Sequence, residues 1–190
     1  EIVSRDWSSD VCSSDLESKG KELDLIKLPY SRSALAPVLS KKNIDNHYGK
    51  LAKGYVERFN NREGDATFNE AGAFLHNILF SQFQSPRPTN TPRGASLNLI
   101  NKKYGSFKDF KEKMLKEAMK IQGSGWIYMS RTGEIKSIKN HQIKNDIALL
   151  IDWWEHAWTT DYGTDKKRYF EKIWQIINWD RINIRIYAGK

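Results

Sequence analysis

Cys12 is the only cysteine in this 190-residue chain, so no internal disulfide framework and no cysteine metal site can be built. Such sparing thiol use accords with a reducing compartment, and the cytoplasm is the expected location. No apolar run approaches the roughly 20 residues needed to span a bilayer, so no membrane partner is expected. Acidic residues are outnumbered, leaving a net charge of +8 and a positive field that favours anionic partners. Yet the basic residues are spread along the chain, without a Lys/Arg-rich run or an RNA-binding motif, and nucleic acid is not the expected partner. Hydrophobic residues make up 39% and charged residues 28%, which is enough for a sizeable core in one domain or two small ones.

Residues 1–16, EIVSRDWSSDVCSSDL, differ in character from the rest of the chain. Ser-Ser-Asp occurs twice around Val11-Cys12, and the apolar positions fit neither helix nor strand period. The stretch lacks the basic and apolar regions of a signal peptide and resembles translated sequencing-adapter DNA. It is expected to be a foreign, disordered leader.

Three of the five prolines, Pro86, Pro88 and Pro92, fall in SPRPTNTPR at 85–93. This polar stretch reads as a boundary between a helical hairpin over 24–88 and a second domain over 94–185. Before it, LPYSRSALAPVLS at 28–40 reads as an extended lead-in. Ser40 can cap a helix from about Lys41 to Asn60, with Ile44, Tyr48, Leu51, Tyr55 and Phe59 as its apolar stripe. Residues 61–66 connect it to a helix from about Asn69 to Gln84. Two helices on a short link most simply pack antiparallel, which can bring His47 and His76 face to face. Taken singly, His47 suits a partly buried core position. His76 sits among apolar residues and needs a partner, either a metal or a carbonyl or water.

The second domain should begin with a short helix, Gly94 to Tyr104, ended by Gly105. A helix capped by Ser106 follows, to about Ile121, with Phe107, Phe110, Met114 and Met119 inward. Trp126–Ser130 and Glu134–Ile138 flank a turn at Thr132-Gly133 and read as a hairpin. Ile147–Ile151 supplies a third strand, which delivers the chain to Asp152-Trp153-Trp154-Glu155-His156. A last helix is expected over about 166–178. The tail beyond Trp179 alternates at Ile182, Ile184 and Ile186, leaving its ending open.

Asp152 and His156 lie four residues apart and can meet one object if the backbone turns between them. Carboxylate oxygen and neutral imidazole suit iron, manganese or zinc. An Asp near a helix start with a surface His is the blander reading of that pair. The chain has four histidines, and each falls where it can converge on the junction of hairpin and sheet. Three imidazoles plus Asp152 would leave one position open for solvent or substrate. The lack of thiolates speaks against a structural zinc site and for a catalytic iron, manganese or zinc ion.

From about Leu28 to Trp179 the chain resembles the iron/manganese superoxide dismutase family. The segments that carry the resemblance are LPYSRSALAP at 28–37, HYGKLAKGYV at 47–56 and NEAGAFLH at 69–76. GSGWIY at 123–128, DWWEHAW at 152–158 and NW at 178–179 complete the series. The resemblance implies an α+β fold, an N-terminal α-helical hairpin followed by an α/β domain with a three-stranded antiparallel sheet. It implies one iron or manganese ion per subunit, held by His47, His76, Asp152 and His156, and superoxide as substrate. Tyr55 matches the gateway tyrosine, Trp126 and Trp154 match aromatic walls of the metal pocket, and Glu155 matches the carboxylate that reaches across a homodimer interface.

The chain departs from the family pattern in two places. A Gln normally stands over the metal-bound solvent, supplied by a helix or by a loop. Here the helix position is Gly72 and the loop position is His141, so His141 is expected to act there without ligating the metal. Most members also carry a His four residues after the first ligand and a Tyr three after the last. Here these are Leu51 and Thr159, and losing both partners leaves neither unsatisfied. A weak or inactive family member acting as a basic anion- or nucleic-acid-binding protein is the competing expectation, and a complete ligand set argues against it.

Overall fold

Ser40 begins the first helix as expected, its Oγ accepting a hydrogen bond from Asn43 N. The structure, a computed structural model, describes residues 20–189, so the expectation for residues 1–16 lies outside the described residues. Helix α1 (Lys41–Asn46) runs into a π-helical turn, His47–Ala52, and continues as α2 (Lys53–Asn60). The expected single helix is therefore continuous but carries one wider turn, which begins at His47. π turns have no compositional signature and recur at functional sites.

Helix α3 (Ala66–Ser81) starts three residues earlier than expected because Asp65 caps it, accepting from Phe68 N at 2.8 Å. It also stops earlier, because Gln82 turns its side chain to other work. Residues 85–93 form neither helix nor strand, but they are tied down. Arg87 N donates to Gln175 O, and the Asn90 amide donates to Trp174 O and Ile177 O at 2.9 and 2.7 Å.

Helices α4 (Gly94–Tyr104) and α5 (Phe107–Ala118) meet at Gly105-Ser106. Gly105 takes the positive φ of 86° that favours glycine, and Ser106 Oγ accepts from Asp109 N. Met119, expected to point inward, is 41% exposed, because α5 ends one residue before it. Strands β1 (Gly125–Ser130), β2 (Ile135–Lys139) and β3 (Ile147–Asp152) form an antiparallel sheet of order β2-β1-β3. Trp126 pairs with Asp152 and with Ile138.

Helix α6 (Glu155–Tyr162) follows β3, with Asp152 near its start as the blander reading of that pair had it. Helix α7 (Lys166–Ile173) ends in a 3-10 turn, Trp174–Ile176, and so falls short of the expected 166–178. The tail is a helix too, α8 (Trp179–Tyr187), capped by Asn178 Oδ1. Trp179, Ile182 and Ile186 face the core while Ile184 is 57% exposed, so helical spacing governs the tail.

An α-helical hairpin thus precedes an α/β domain with a three-stranded antiparallel sheet. One apolar core joins the two, from Leu35, Leu75 and Phe80 in the first part to Met114, Leu149, Trp153 and Trp179 in the second. Gln82 fastens α3 to the outer edge of β3. Its amide nitrogen donates to Leu150 O, and its carbonyl oxygen accepts from Leu150 N at 3.1 Å. Arg185 of α8 covers the same edge, donating to Gln82 Oε1, Ala148 O, Ile78 O and Ser81 Oγ. Burial lowers this guanidinium to about 10. No helix among the described residues is long and apolar enough to cross a membrane.

Candidate metal centre

Four side chains from four places in the chain meet where the hairpin touches the sheet. His47 comes from the π turn, His76 from the middle of α3, Asp152 from the last position of β3 and His156 from the first turn of α6. Their ligand-capable atoms all lie within 4.8 Å of one another. Asp152 and His76 are fully buried, His47 is nearly so, and His156 is partly open. The rings of His47 and His76 meet edge-on at 5.0 Å, so the antiparallel packing brings the two together as the sequence suggested.

The backbone fixes Asp152 firmly. Its carbonyl accepts from the buried Tyr169 hydroxyl at 3.0 Å, and its Oδ1 accepts from Trp154 N at 2.9 Å. Oδ2 is left facing three imidazoles, at 2.9 Å from His156 Nε2, 3.1 Å from His47 Nε2 and 3.7 Å from His76 Nε2. Burial alone would raise this carboxyl, but the His156 and His47 imidazoles outweigh it and hold it well below the usual carboxylate range. Burial pushes His47 and His76 down, the latter strongly, with the neighbouring imidazoles adding to the effect on His76.

The donor count exposes a conflict that a cation resolves. His76 Nδ1 lies 2.7 Å from Gly72 O, which can only accept, so Nδ1 carries the proton. In the neutral ring Nε2 is then a bare lone pair, buried without a hydrogen-bond partner and aimed toward the Asp152 carboxylate. His47 Nε2 is also buried without an aligned hydrogen bond. Acceptors facing acceptors in a dry pocket are unfavourable. Three imidazole nitrogens and one carboxylate oxygen, without thiolate, suit iron, manganese or zinc. The residues present fit a metal ion.

The other candidates surround this cluster. Trp126, fully buried, sets its ring edge-on to His76 at 5.0 Å. Its indole N–H donates to His141 Nδ1 at 3.1 Å, and His141 Nε2 lies 2.9 Å from the Tyr55 hydroxyl. An indole N–H can only donate, so neutral His141 carries its proton on Nε2 and gives it to the Tyr55 oxygen. The Tyr55 O–H is left free to point elsewhere. Burial lowers His141 to about 4 and raises Tyr55 to about 12, the charge on Asp152 adding to the second. Both groups are therefore neutral near pH 7. Trp154 stacks on His141 at 4.5 Å and on His156 at 5.4 Å.

Glu155 stands apart from the cluster. It is exposed, has no hydrogen bond or ion pair among the described residues, and lines a cleft of about 510 Å3 with His156, Trp154 and Trp158. Leu51 and Thr159 line a different cavity, of about 420 Å3, together with His47 and His156. Sequence reasoning missed Phe68, whose ring lies 4.7 Å from His141, and the Tyr169 contact to Asp152. It also missed Arg58, whose guanidinium lies over the Tyr55 ring, 5.0 Å from its centroid. Arg58 and Phe68 do sit beside recognised residues, three positions after Tyr55 and one before NEAGAFLH. Tyr169 had no such signal.

Gly72 explains its own side-chain absence. A Cβ there would lie 2.8–3.0 Å from three atoms of the Tyr55 ring, closer than side chains tolerate. While Tyr55 occupies this place, the helix position can supply no side chain, and the loop residue His141 takes the contact to Tyr55.

Comparison with known proteins agrees with this layout. Residues 22–71 match the alpha-hairpin domain of iron/manganese superoxide dismutases, and residues 92–185 match the C-terminal domain of the same enzymes. A Bacteroides fragilis protein named superoxide dismutase [Fe] is 34% identical, over 86% of this chain and 98% of the relative. A Porphyromonas gingivalis superoxide dismutase [Mn/Fe] is 31% identical, over 85% and 98%. An Escherichia coli superoxide dismutase [Fe] is 30% identical, over 83% and 94%.

Proposed function

The chain belongs to the iron/manganese superoxide dismutase family, and on that premise we propose that it disproportionates superoxide at iron or manganese held by His47, His76, Asp152 and His156. The observation that carries this reading is the buried His76 Nε2 lone pair aimed toward the Asp152 carboxylate, with His47 and His156 beside it. Two superoxide anions and two protons give one oxygen molecule and one hydrogen peroxide. When bound, the metal supplies the one-electron couple that lets the two anions react in separate steps.

The protein's own side chains do the rest. Asp152 and the neutral imidazoles offer a single net negative charge to the ion, in a geometry fixed by Gly72 O, Trp154 N and Tyr169. Tyr55, neutral at working pH, holds a transferable proton beside the site, and His141 orients its oxygen from the far side. Trp126 fixes the His141 ring and, with Trp154, keeps bulk water off the cluster. Glu155, exposed and without a hydrogen bond or ion pair among the described residues, is available to a second subunit, and we assign it to a homodimer contact. The single cysteine accords with a cytoplasmic location.

The competing reading, a basic binding protein on a retained scaffold, is not favoured, since all four ligands are present and converge. The deciding experiment strips the purified protein of metal and reloads it separately with iron and with manganese. Dismutation with either metal supports the proposal and assigns the metal. Metal bound at one ion per chain without dismutation by either form sinks it.

A further inference from the structure

Arg87 and Arg181 line a cavity of about 330 Å3 that is separate from the metal cluster. It lies where Tyr30 of the lead-in, Ser81 at the end of α3 and Asn178 at the start of α8 meet. Both arginines are exposed, and among the described residues neither has an ion pair or a side-chain hydrogen bond. No carboxylate among the described residues lines the space. Asp180, whose carboxylate feels the charge on Arg87, is held elsewhere: Arg93 donates to both its oxygens, at 2.8 and 2.7 Å. Asn178 caps α8 through Oδ1, which leaves its amide nitrogen without a hydrogen bond, and the Ser85 hydroxyl is equally unengaged. The lining is therefore rich in donors and lacks a negative charge.

Behind one wall stands a cation without a counter-charge. Arg185 is largely buried, and its partners Gln82 Oε1, Ala148 O, Ile78 O and Ser81 Oγ are all neutral. A buried charge without an opposite charge is unfavourable, and the charge on Arg181 adds to the effect. Ser81 is both a partner of Arg185, at 2.8 Å, and part of the cavity wall. An anion in the cavity would thus stand one hydroxyl away from that cation. The walls are also fixed in advance. Asn178 N donates to Gln82 O at 2.7 Å, Gln84 N to Ile176 O at 2.8 Å and Arg87 N to Gln175 O at 2.9 Å.

We propose that this cavity binds the phosphate group of a small molecule, free or esterified, with Arg87 and Arg181 as its two charged contacts. Planar guanidinium forks match phosphate oxygens two at a time, and the volume suits a small-molecule site. A nucleic acid would need the basic track to continue, whereas the neighbouring Arg93 is already taken by Asp180. The inference does not depend on the dismutase reading, because neither arginine belongs to the metal cluster.

The test titrates inorganic phosphate, adenosine monophosphate and adenosine calorimetrically into the full metal-loaded chain. Wild type is compared with Arg87→Gln, with Arg87→Gln/Arg181→Gln and with Lys116→Gln/Lys139→Gln, which removes as much charge from exposed positions outside the cavity. Phosphate or the monophosphate should bind wild type, and adenosine should not. The double arginine variant should lose about tenfold or more in affinity, and Arg87→Gln alone a part of that. The lysine variant should stay within about twofold. Metal content and the dismutation rate should be unchanged in every variant. Tighter binding of the monophosphate than of phosphate assigns an ester as the occupant, and weaker binding assigns free phosphate. No binding by wild type, or equal losses in the double arginine and lysine variants, would overturn the inference. So would an oligonucleotide without terminal phosphates that binds more tightly than the monophosphate and is released by the double arginine change, since the site would then be a nucleic-acid surface.

Discussion

Gly72→Ala adds one methyl group at the most crowded spot of the site. The new Cβ would stand 2.8, 2.9 and 3.0 Å from Tyr55 Cγ, Cδ1 and Cδ2, where ordinary contact begins near 3.4 Å. The ring must retreat by about 0.5–1 Å to restore normal carbon contacts. Its hydroxyl is held 2.9 Å from His141 Nε2, so a retreat of that size stretches the bond toward or past the hydrogen-bond limit. Overpacking of this kind costs about 1–3 kcal/mol. The weakened hydrogen bond adds about 0.5–1.5 kcal/mol, and replacing a mid-helix glycine returns up to about 1 kcal/mol. The net expectation is a destabilisation of about 1–3 kcal/mol. Urea unfolding of the metal-free protein measures it. A cycle with Tyr55→Ala isolates the cause, because without the ring Gly72→Ala should become neutral or stabilising. A Gly72→Ala protein at least as stable as wild type, or a cycle with no coupling, would show that Tyr55 does not rest on this glycine.

His141→Ala should leave metal content near one ion per chain while lowering dismutation about 10- to 100-fold; metal analysis beside stopped-flow rates tests both halves, and an unchanged rate removes His141 from the site. Gln82→Ala leaves the Leu150 N–H and C=O without their partner and takes one acceptor from Arg185, so a loss of about 2–4 kcal/mol is expected. A loss under about 0.5 kcal/mol in urea unfolding, the range of ordinary surface changes, would contradict it. His47 and His76 have lowered values in the folded metal-free chain, so below about pH 6.5 the unfolded chain binds more protons. Stability is therefore full above that pH and declines as pH falls through it, by about 1–3 kcal/mol at pH 5.5. Urea midpoints for the metal-free protein that are flat or rising between pH 7.5 and 5.5 (chosen to bracket the transition) would refute the neutral-imidazole reading.

What the sequence made legible depended on how local the cause was. Gly105 and Ser106 end one helix and start the next through their own backbone and hydroxyl, and the bounds of α4 were readable from them. The four residues that converge, His47, His76, Asp152 and His156, were readable because DWWEHAW and its upstream histidines form a specific pattern. The tail was not, since Ile182, Ile184 and Ile186 alternate like a strand while the Asn178 cap and the Trp179–Ile182–Ile186 face make it a helix. Met119 was placed inward on a periodicity that continued past the true end of α5. Gln82 and Arg58 act through partners that composition cannot reveal. Gln82 finds Leu150 across 68 positions of chain, and Arg58 reaches Asn69 on the neighbouring helix α3.

The π turn at His47–Ala52 is a matter of angular phase. An α-helix advances about 100° per residue, and a π turn is equivalent to one residue inserted into that count. His47, at its start, and Tyr55, just beyond it, both reach the His76 ring, at centroid distances of 5.0 and 5.4 Å. Were the same stretch wound as a regular α-helix, no chemical group at the site would change. Everything downstream would be rotated by about 100°, carrying Tyr55 off Gly72 and His141 and taking Arg58 with it. The spacing between HYGKL and GYVER is thus a dimension of the site in its own right, as binding on the chain as the identity of any ligand.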